Sequence, residues 1–534
     1  MRQYSASNYA LSNARIYLMD AQSTTARYAH IQQGRMHSLF EDAPEQDSFD
    51  NNTEIIDLDG RTILPGLCDS HIHIAKYALM LDQVDCETGS IKECLSRIRS
   101  RCQETEPGTW VLGHGWNQND WGRYGTREEL DAISVDNPVY LTAKSLHAGW
   151  ANSKALELCG ITDNIEDPPR GKLQRDERGL LTGILYEDAV LLISTRIPKP
   201  DSSTLATKIL SAQEKLNEWG ITAIHDFDGL NCLHALETLE GNGSLHLRVL
   251  KHIRKKDFET ALQAGLYSGS TGDWIRIGHL KLFADGALGP RTAAMLRGYE
   301  GEQENLGMLQ LDVDEIVEIG RHSIQAGFPL AIHAIGDRAN RTVLDAFEQL
   351  QEVKPNSPLP FPHRIEHAQL LHPEDLERPS RLGITVSMQP IHAISDQAMA
   401  DQYWGERVRW SYAWNSQFKA GATVIFGSDA PVDSPNPWLG MHAAIARQAP
   451  CGEDDGASAW VAEERVSLIE ALRAYSALPA QSACWDKSIG QLSKGCKADL
   501  IVLDQDPSLV KPHELKQLKP SGVMIDGEWV IRNF

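Results

Sequence analysis

No stretch of this 534-residue chain approaches the ~20 consecutive apolar residues that a membrane-crossing helix needs. The residues after Met1 lack the apolar centre of a secretory leader, so a cytoplasmic location is expected. Cysteine is sparse and scattered. The nine present are odd in number and form no Cys-x-x-Cys pair, which favours reduced thiols over a disulfide framework. Positive charge is in deficit: 51 Lys and Arg stand against 73 Asp and Glu, for a net charge of −22 with no long acidic block. Nucleic acid and anionic membrane both require a basic surface, so neither is expected as a partner. Internal repeats and low-complexity tracts are also missing. What remains, 42% hydrophobic and 23% charged residues, describes a packed, soluble protein too long for one ordinary core.

Both ends of the chain read as short strands. Ala14 to Leu18 and Thr53 to Leu58 lie near the start, Ala498 to Leu503 and Val523 to Ile531 near the end. Gln33-Gly34, Asp59-Gly60 and Asp526-Gly527 carry the residue types of hairpin turns. Neither end is large enough to bury a core alone, so residues 1–63 and 485–534 are expected to build one composite β-sandwich. Between them, strand patterns alternate with helical ones, the signature of a parallel α/β fold. The strand candidates are 221–226, 246–252, 275–283, 330–333, 364–367, 384–389 and 423–428. A further strand running up to His73 makes eight, the number that closes a (β/α)8 barrel, here over 64–484. The gap from His73 to Ile221 exceeds one barrel unit, so about 85–205 is read as an insertion over the C-terminal mouth. It holds two strand-like runs, 110–116 and 139–142, with Trp116, Trp121, Tyr124, His147 and Trp150 as residues that could line a pocket.

The chain's chemistry is organised around Leu64-Pro65-Gly66-Leu67-Cys68-Asp69-Ser70-His71-Ile72-His73. Two residues apart on a strand, His71 and His73 project from one face and offer two imidazoles to a metal. The other predicted strand ends add to them: Lys281 on the fourth, His333 on the fifth, His367 on the sixth and Asp429 after the eighth. Barrel chemistry sits at this face, so the six residues form a cage for one or two divalent metal ions, zinc being the natural choice for such donors. Lysine is the odd member, since an ammonium has no lone pair. Burial lowers its pKa, and the free amine can take up carbon dioxide as a carbamate whose oxygens bridge two ions.

These segments resemble the amidohydrolase superfamily of metal-dependent hydrolases, and more narrowly its amidohydrolase 3 branch, which includes N-substituted formamide deformylase. Beyond the His-x-His run, the likeness is carried by Gly113 to Trp121, Thr142 to Leu156, Gly183 to Glu187 and Gly220 to Phe227. It continues in Lys281-Leu282-Phe283-Ala284-Asp285-Gly286, Arg291-Thr292-Ala293, His333-Ala334-Ile335-Gly336-Asp337-Arg338-Ala339 and Arg364-Ile365-Glu366-His367-Ala368-Gln369. Phe426-Gly427-Ser428-Asp429-Ala430-Pro431, Gly490 to Pro507 and Val523 to Val530 complete it. The resemblance implies a distorted (β/α)8 TIM barrel with a composite β-sandwich. It also implies metal positions at His71, His73, His333, His367 and Asp429, with Lys281 as a carboxylated lysine.

The expected reaction is hydrolysis of an amide-type carbon–nitrogen bond in a small molecule. A metal-bound hydroxide would attack while Asp429 carries its proton to the leaving nitrogen. Trp116, His147 and Arg291 are candidate substrate contacts. A deaminase usually holds one metal and lacks a lysine bridge, so Lys281 argues against it. The ligands do not separate amide from cyclic-amide or ester cleavage, and a non-catalytic binding protein would be expected to have lost ligands. Members of the superfamily often form dimers, though no stretch here specifies a homodimer interface.

Overall fold

The computed structural model describes residues 8–534 except 21, 23, 45–48, 51, 144–147, 169–170, 199, 271, 290 and 449–458. His147 therefore lies outside the described residues. The chain divides into two compact units, Met1–Lys76 with Ala206–Phe534, and Tyr77–Leu205.

Eight parallel strands dominate the first unit. They are β1 (Leu67–Ile72), β2 (Ile221–Asp226), β3 (Arg248–Arg254), β4 (Ile275–Phe283), β5 (Leu330–Ala334), β6 (Arg364–His367), β7 (Thr385–Met388) and β8 (Thr423–Phe426). Each is hydrogen-bonded to its neighbour in sequence order. All six residues of β2 and all four of β7 are buried, the pattern of parallel strands covered on both faces. The ring is drawn together where Ile72 bridges to Ala430 and the Asp429 N–H donates to the His71 carbonyl at 2.6 Å. Gly427 permits that approach: a Cβ there would lie 2.5 Å from the His71 nitrogen and 2.7 Å from Asp69 Oδ1. In register, Phe283 lies beside His333 and Ala334 beside His367, so the carboxyl ends of β4, β5 and β6 stand level. The third strand starts at Arg248 rather than 246, because the His246 N–H donates to Gln213 Oε1 at 2.6 Å instead of to the ladder.

The same unit carries two further sheets. One orders Arg35–Phe40, Tyr28–Gln32, Asn8–Ser12 and Thr53–Asp57. The other orders Glu528–Arg532, Gly522–Ile525, Leu500–Leu503, Thr62–Pro65, Arg15–Tyr17 and Thr25–Ala26. Leu500–Leu503 runs antiparallel to Thr62–Pro65, and Leu11, Ile31, Ile63, Leu500 and Met524 share one core. Gln33-Gly34 and Asp526-Gly527 turn their hairpins with φ values of 51°, 73°, 55° and 81°. Asp59-Gly60 does not make the expected hairpin. Its flanking strands enter different sheets, and the Gly60 N–H donates to the Asn13 carbonyl.

The second unit is built on a six-stranded sheet. Its order is Gly171–Arg175, Leu181–Glu187, Ala148–Ala151, Val139–Ala143, Val111–Trp116 and Val84–Asp85. The two strands expected from sequence pair in parallel, and Val111, Val139, Leu141 and Trp150 pack into one of its cores.

Candidate metal centre

The site grows from β1. His71 is its penultimate residue, and His73 follows one position past its end, where the helix Ile74–Leu81 begins. Both imidazole Nε2 atoms face Asp429, each 3.5 Å from Oδ1. Donor atoms of His71, His367 and Asp429 all lie within 4.8 Å of one another. The His333 ring centroid is 4.7 Å from that of His367.

The outward face of each ring explains which nitrogen is free. His71 Nδ1–H donates to Glu366 Oε2 at 2.7 Å, His73 Nδ1–H to Asp228 Oδ1 at 3.2 Å, and His367 Nδ1–H to Gln389 Oε1 at 2.7 Å. Since each partner is an acceptor, the proton sits on Nδ1 and the Nε2 lone pair is left for a metal. His333 is turned the other way. Its Nε2–H donates to the Gly286 carbonyl at 2.9 Å, leaving Nδ1. All four imidazoles must be neutral to ligate. Burial brings His71 down to about 4, against the pull of Asp429 and Glu366. Burial and the charge of Lys281 bring His333 to about 3. Burial also holds His367 well below its usual range. At Asp429 burial works against ionisation, but the surrounding imidazoles, His392 being the one that carries a charge, hold the carboxyl well below its usual range.

Lys281 is 3% exposed and its Nζ has no hydrogen-bond partner. It lies 4.8 Å from the ring centroids of both Phe227 and Phe283. Burial lowers the amine to about 8, in spite of Glu366 and Asp429. An orphaned buried amine beside converging imidazole and carboxylate donors fits a site for divalent metal, and nitrogen–oxygen donors of this kind suit zinc.

Backbone geometry completes the site. His367, Ala368 and Asp429 have φ values of 75°, 43° and 58°. Non-glycine residues adopt this left-handed region at a cost, and such costs gather at functional positions. At His367 the turn has a visible result. Strand alternation would send Glu366 and His367 to opposite faces, yet both reach His71, one by hydrogen bond and one with ring centroids 4.8 Å apart.

Several participants were not among the sequence candidates. Glu366 is gripped by Nε and Nη2 of Arg364; Nη2 also donates to the Ser70 carbonyl, and Nη1 reaches His225. His392 Nδ1–H donates to Asp433 Oδ2 at 2.7 Å while its Nε2 stands 3.7 Å from Asp429 Oδ2. Burial opposes its charged form, but hydrogen bonds to Asp429 and Asp433 push the ring up to about 10. Glu366 could have been found within its Arg-Ile-Glu-His run. Nothing in the spacing around His392 signals its role.

Two of the proposed substrate contacts, Trp116 and Arg291, lie among the described residues. Trp116 is 1% exposed, stacks near Trp121 and donates Nε1–H to the Leu141 carbonyl, all within the second unit. Arg291 pairs with Glu302 and lies over the Tyr403 ring, 5.2 Å from its centroid. A second acidic group, Asp226, Asp228 and Cys232, is already engaged. Lys251 Nζ lies 2.8 Å from Asp226, and backbone N–H groups of Ile74 and Ala75 donate to Asp226 and Asp228.

Known proteins are similar to this chain in sequence and in fold. LONG AFTER FAR-RED 3 of Arabidopsis thaliana is 29% identical over 509 residues, which cover 92% of this chain and 86% of that protein. The N-substituted formamide deformylase of Arthrobacter pascens is 28% identical over 537 residues, 96% of each chain. An uncharacterized metal-dependent hydrolase from Pyrococcus horikoshii OT3 superposes with a TM-score of 0.79 at 30% identity, over 95% of this chain and 99% of that one. The profile of the Amidohydrolase family matches residues 54–531, a span that takes in all eight barrel strands and every one of the converging donors, and the chain belongs to that family.

Proposed function

We propose that this protein is a metal-dependent hydrolase that cleaves an amide-type carbon–nitrogen bond of a small molecule. The observation that carries the reading is the convergence of His71, His73, His367 and Asp429, each ring with Nε2 free, around the unpartnered amine of Lys281. His71, His73, His333, His367 and Asp429 would hold one or two divalent ions, zinc by donor type. Lys281 would join them as a carbamate: the amine adds to carbon dioxide, a C–N bond forms and one proton leaves. An ion held there would polarise the substrate carbonyl and lower the pKa of bound water. Asp429 accepts the proton of the attacking water at a carboxylate oxygen and returns it to the nitrogen as the carbon–nitrogen bond breaks. His392, held by Asp433, keeps Asp429 aimed at the reacting atoms. The sheets at the two chain ends are read as one composite sandwich of 1–63 and 485–534 that braces the barrel of 64–484, with an insertion of about 85–205.

The reading is tested by metal analysis together with a panel of N-substituted formamides, N-acyl amino acids, cyclic imides and aryl esters. Zinc in the purified protein and turnover of open-chain amides, both lost in His71→Ala/His73→Ala, are the expected results. A double variant with full metal content would place the site elsewhere.

A further inference from the structure

A cavity of about 530 Å³ opens beside the metal ligands, touching His73 and Lys281. Its remaining polar lining is strongly cationic, with Lys76, Arg254, Lys255 and Lys256 against the single carboxylate of Asp228. In a chain of net charge −22, four cations around one cavity run against the composition. Asp228 offsets only part of that charge, through its interaction with Lys76. Its Oδ1 accepts from His73, and its Oδ2 accepts from the backbone N–H groups of Ala75 and Lys76. Arg254 is oriented and its charge partly offset by Asp257, 2.8 Å away, which leaves the three lysines as the cavity's unpaired cations. Arg254 also lies over Gly229, where a Cβ would come within 1.7 Å of a guanidinium nitrogen. Any other residue at 229 would displace it. Among the described residues, the ammonium groups of Lys76, Lys255 and Lys256 pair with no carboxylate. The same cavity has an apolar side that includes Phe227 and Phe283, the latter 46% exposed.

We propose that this cavity selects amides bearing an anionic group, a carboxylate or a phosphate, set by an apolar spacer away from the scissile bond. The proposal rests on the amide-hydrolase reading above and adds the substrate class. A concave wall of one charge sign concentrates anions, and ammonium groups act as compact charges that do not demand one anion geometry. Phe283 offers the spacer a face, while His73 and Lys281 fix the end where the bond is cut. Asp257 and Gly229 hold Arg254 ready, so the anion site is built before substrate arrives.

The test uses metal-loaded protein and three probes: N-formylphenylalanine, its neutral amide N-formylphenylalaninamide, and N-formyl-aminoethyl phosphate. Either anionic probe should exceed the neutral one in kcat/KM by at least about tenfold, and added salt should shrink the gap. The better anion identifies the source as carboxylate or phosphate. In Lys255→Ala/Lys256→Ala the ratio of anionic to neutral kcat/KM should fall about tenfold, mainly through KM. Equal turnover of all three probes, or a preference for the neutral amide, would overturn the anionic class and leave amide hydrolysis standing. If none is cleaved, calorimetric binding of phenylacetate and phenylphosphonate to wild type and to Lys255→Glu/Lys256→Glu decides the matter. Salt-sensitive binding that weakens at least about tenfold in the variant supports the cavity as an anion site even though the reaction reading fails. Equal affinity in both proteins overturns it.

Discussion

Lys251 on β3 and Lys281 on β4 lie in neighbouring strands of the barrel, 0% and 3% exposed, yet their surroundings differ in kind. Lys251 Nζ sits 2.8 Å from Asp226 and donates to the carbonyls of Asp228 and His252. Lys281 Nζ has no partner and faces two aromatic rings. Register explains part of the contrast. Lys281 lies opposite Arg254, so Lys251 stands three residues deeper in the strand, where β2 supplies a carboxylate. A buried cation that serves the fold is surrounded by acceptors, because an unpaired one is costly. Lys281 is the reverse case, a buried amine with no hydrogen-bond partner, as the proposed carbamate would require. The same rule is seen at Arg248, which burial alone would push towards neutrality. Asp499 and Asp526 hold it charged and tie β3 to the sheet of the chain ends.

The largest effect expected from this contrast is functional. Lys281→Ala should lower kcat/KM by about a thousandfold or more and reduce metal content, with folding retained, because the lost group acts with the metals in the transition state. Short carboxylic acids with added metal should restore part of the turnover. Circular dichroism and metal analysis check the two halves. Lys251→Met should do the reverse. Asp226 is left buried and unpaired, so unfolding in urea should come earlier by ~3–5 kcal/mol, with metal per folded molecule little changed. If Lys251→Met abolished metal binding and left stability intact, the contrast would be broken.

Smaller effects sharpen it. Glu366→Gln keeps the size of the group that orients His71 but weakens its acceptor, so metal affinity should fall about 10- to 100-fold in competition with a chelator. His279 tests the layer beneath the site. It is 1% exposed, and burial together with Arg364 holds it down to about 3. The unfolded chain takes up its proton first as pH falls, so stability is lost from about pH 6.5 down towards 3 and unaffected above that window. The slope from this one group is ~1.4 kcal/mol per pH unit, and His279→Gln should flatten a plot of unfolding free energy, from urea titrations, against pH by that amount.

Much of the barrel was legible because buried parallel strands leave short apolar runs at regular intervals, and seven of the expected spans overlap β2 to β8. The donors at their ends were legible for the same reason. What sequence could not supply was geometry that breaks periodicity. Alternation along β6 predicts one residue of Glu366 and His367 facing inward, and only the left-handed turn at His367 brings both to His71. His392 and Asp433 follow β7 and β8, where sequence offers no period to read. Asp59-Gly60 had the residues of a hairpin, but pairing partners far along the chain decided otherwise. Trp116 carried no mark of its partners in sequence, and its N–H donates to the Leu141 carbonyl.

On the proposed function, Lys281 is left bare so that it can become a carbamate that helps hold the metal. The most direct measurement is carbon-13 NMR of zinc-loaded protein equilibrated with labelled bicarbonate, for wild type and Lys281→Ala. One carbamate signal per chain, present in wild type, absent in the variant and stable only with metal bound, is the predicted result. Metal-loaded, active protein with no such signal and an unmodified Lys281 would contradict it and favour a one-metal centre.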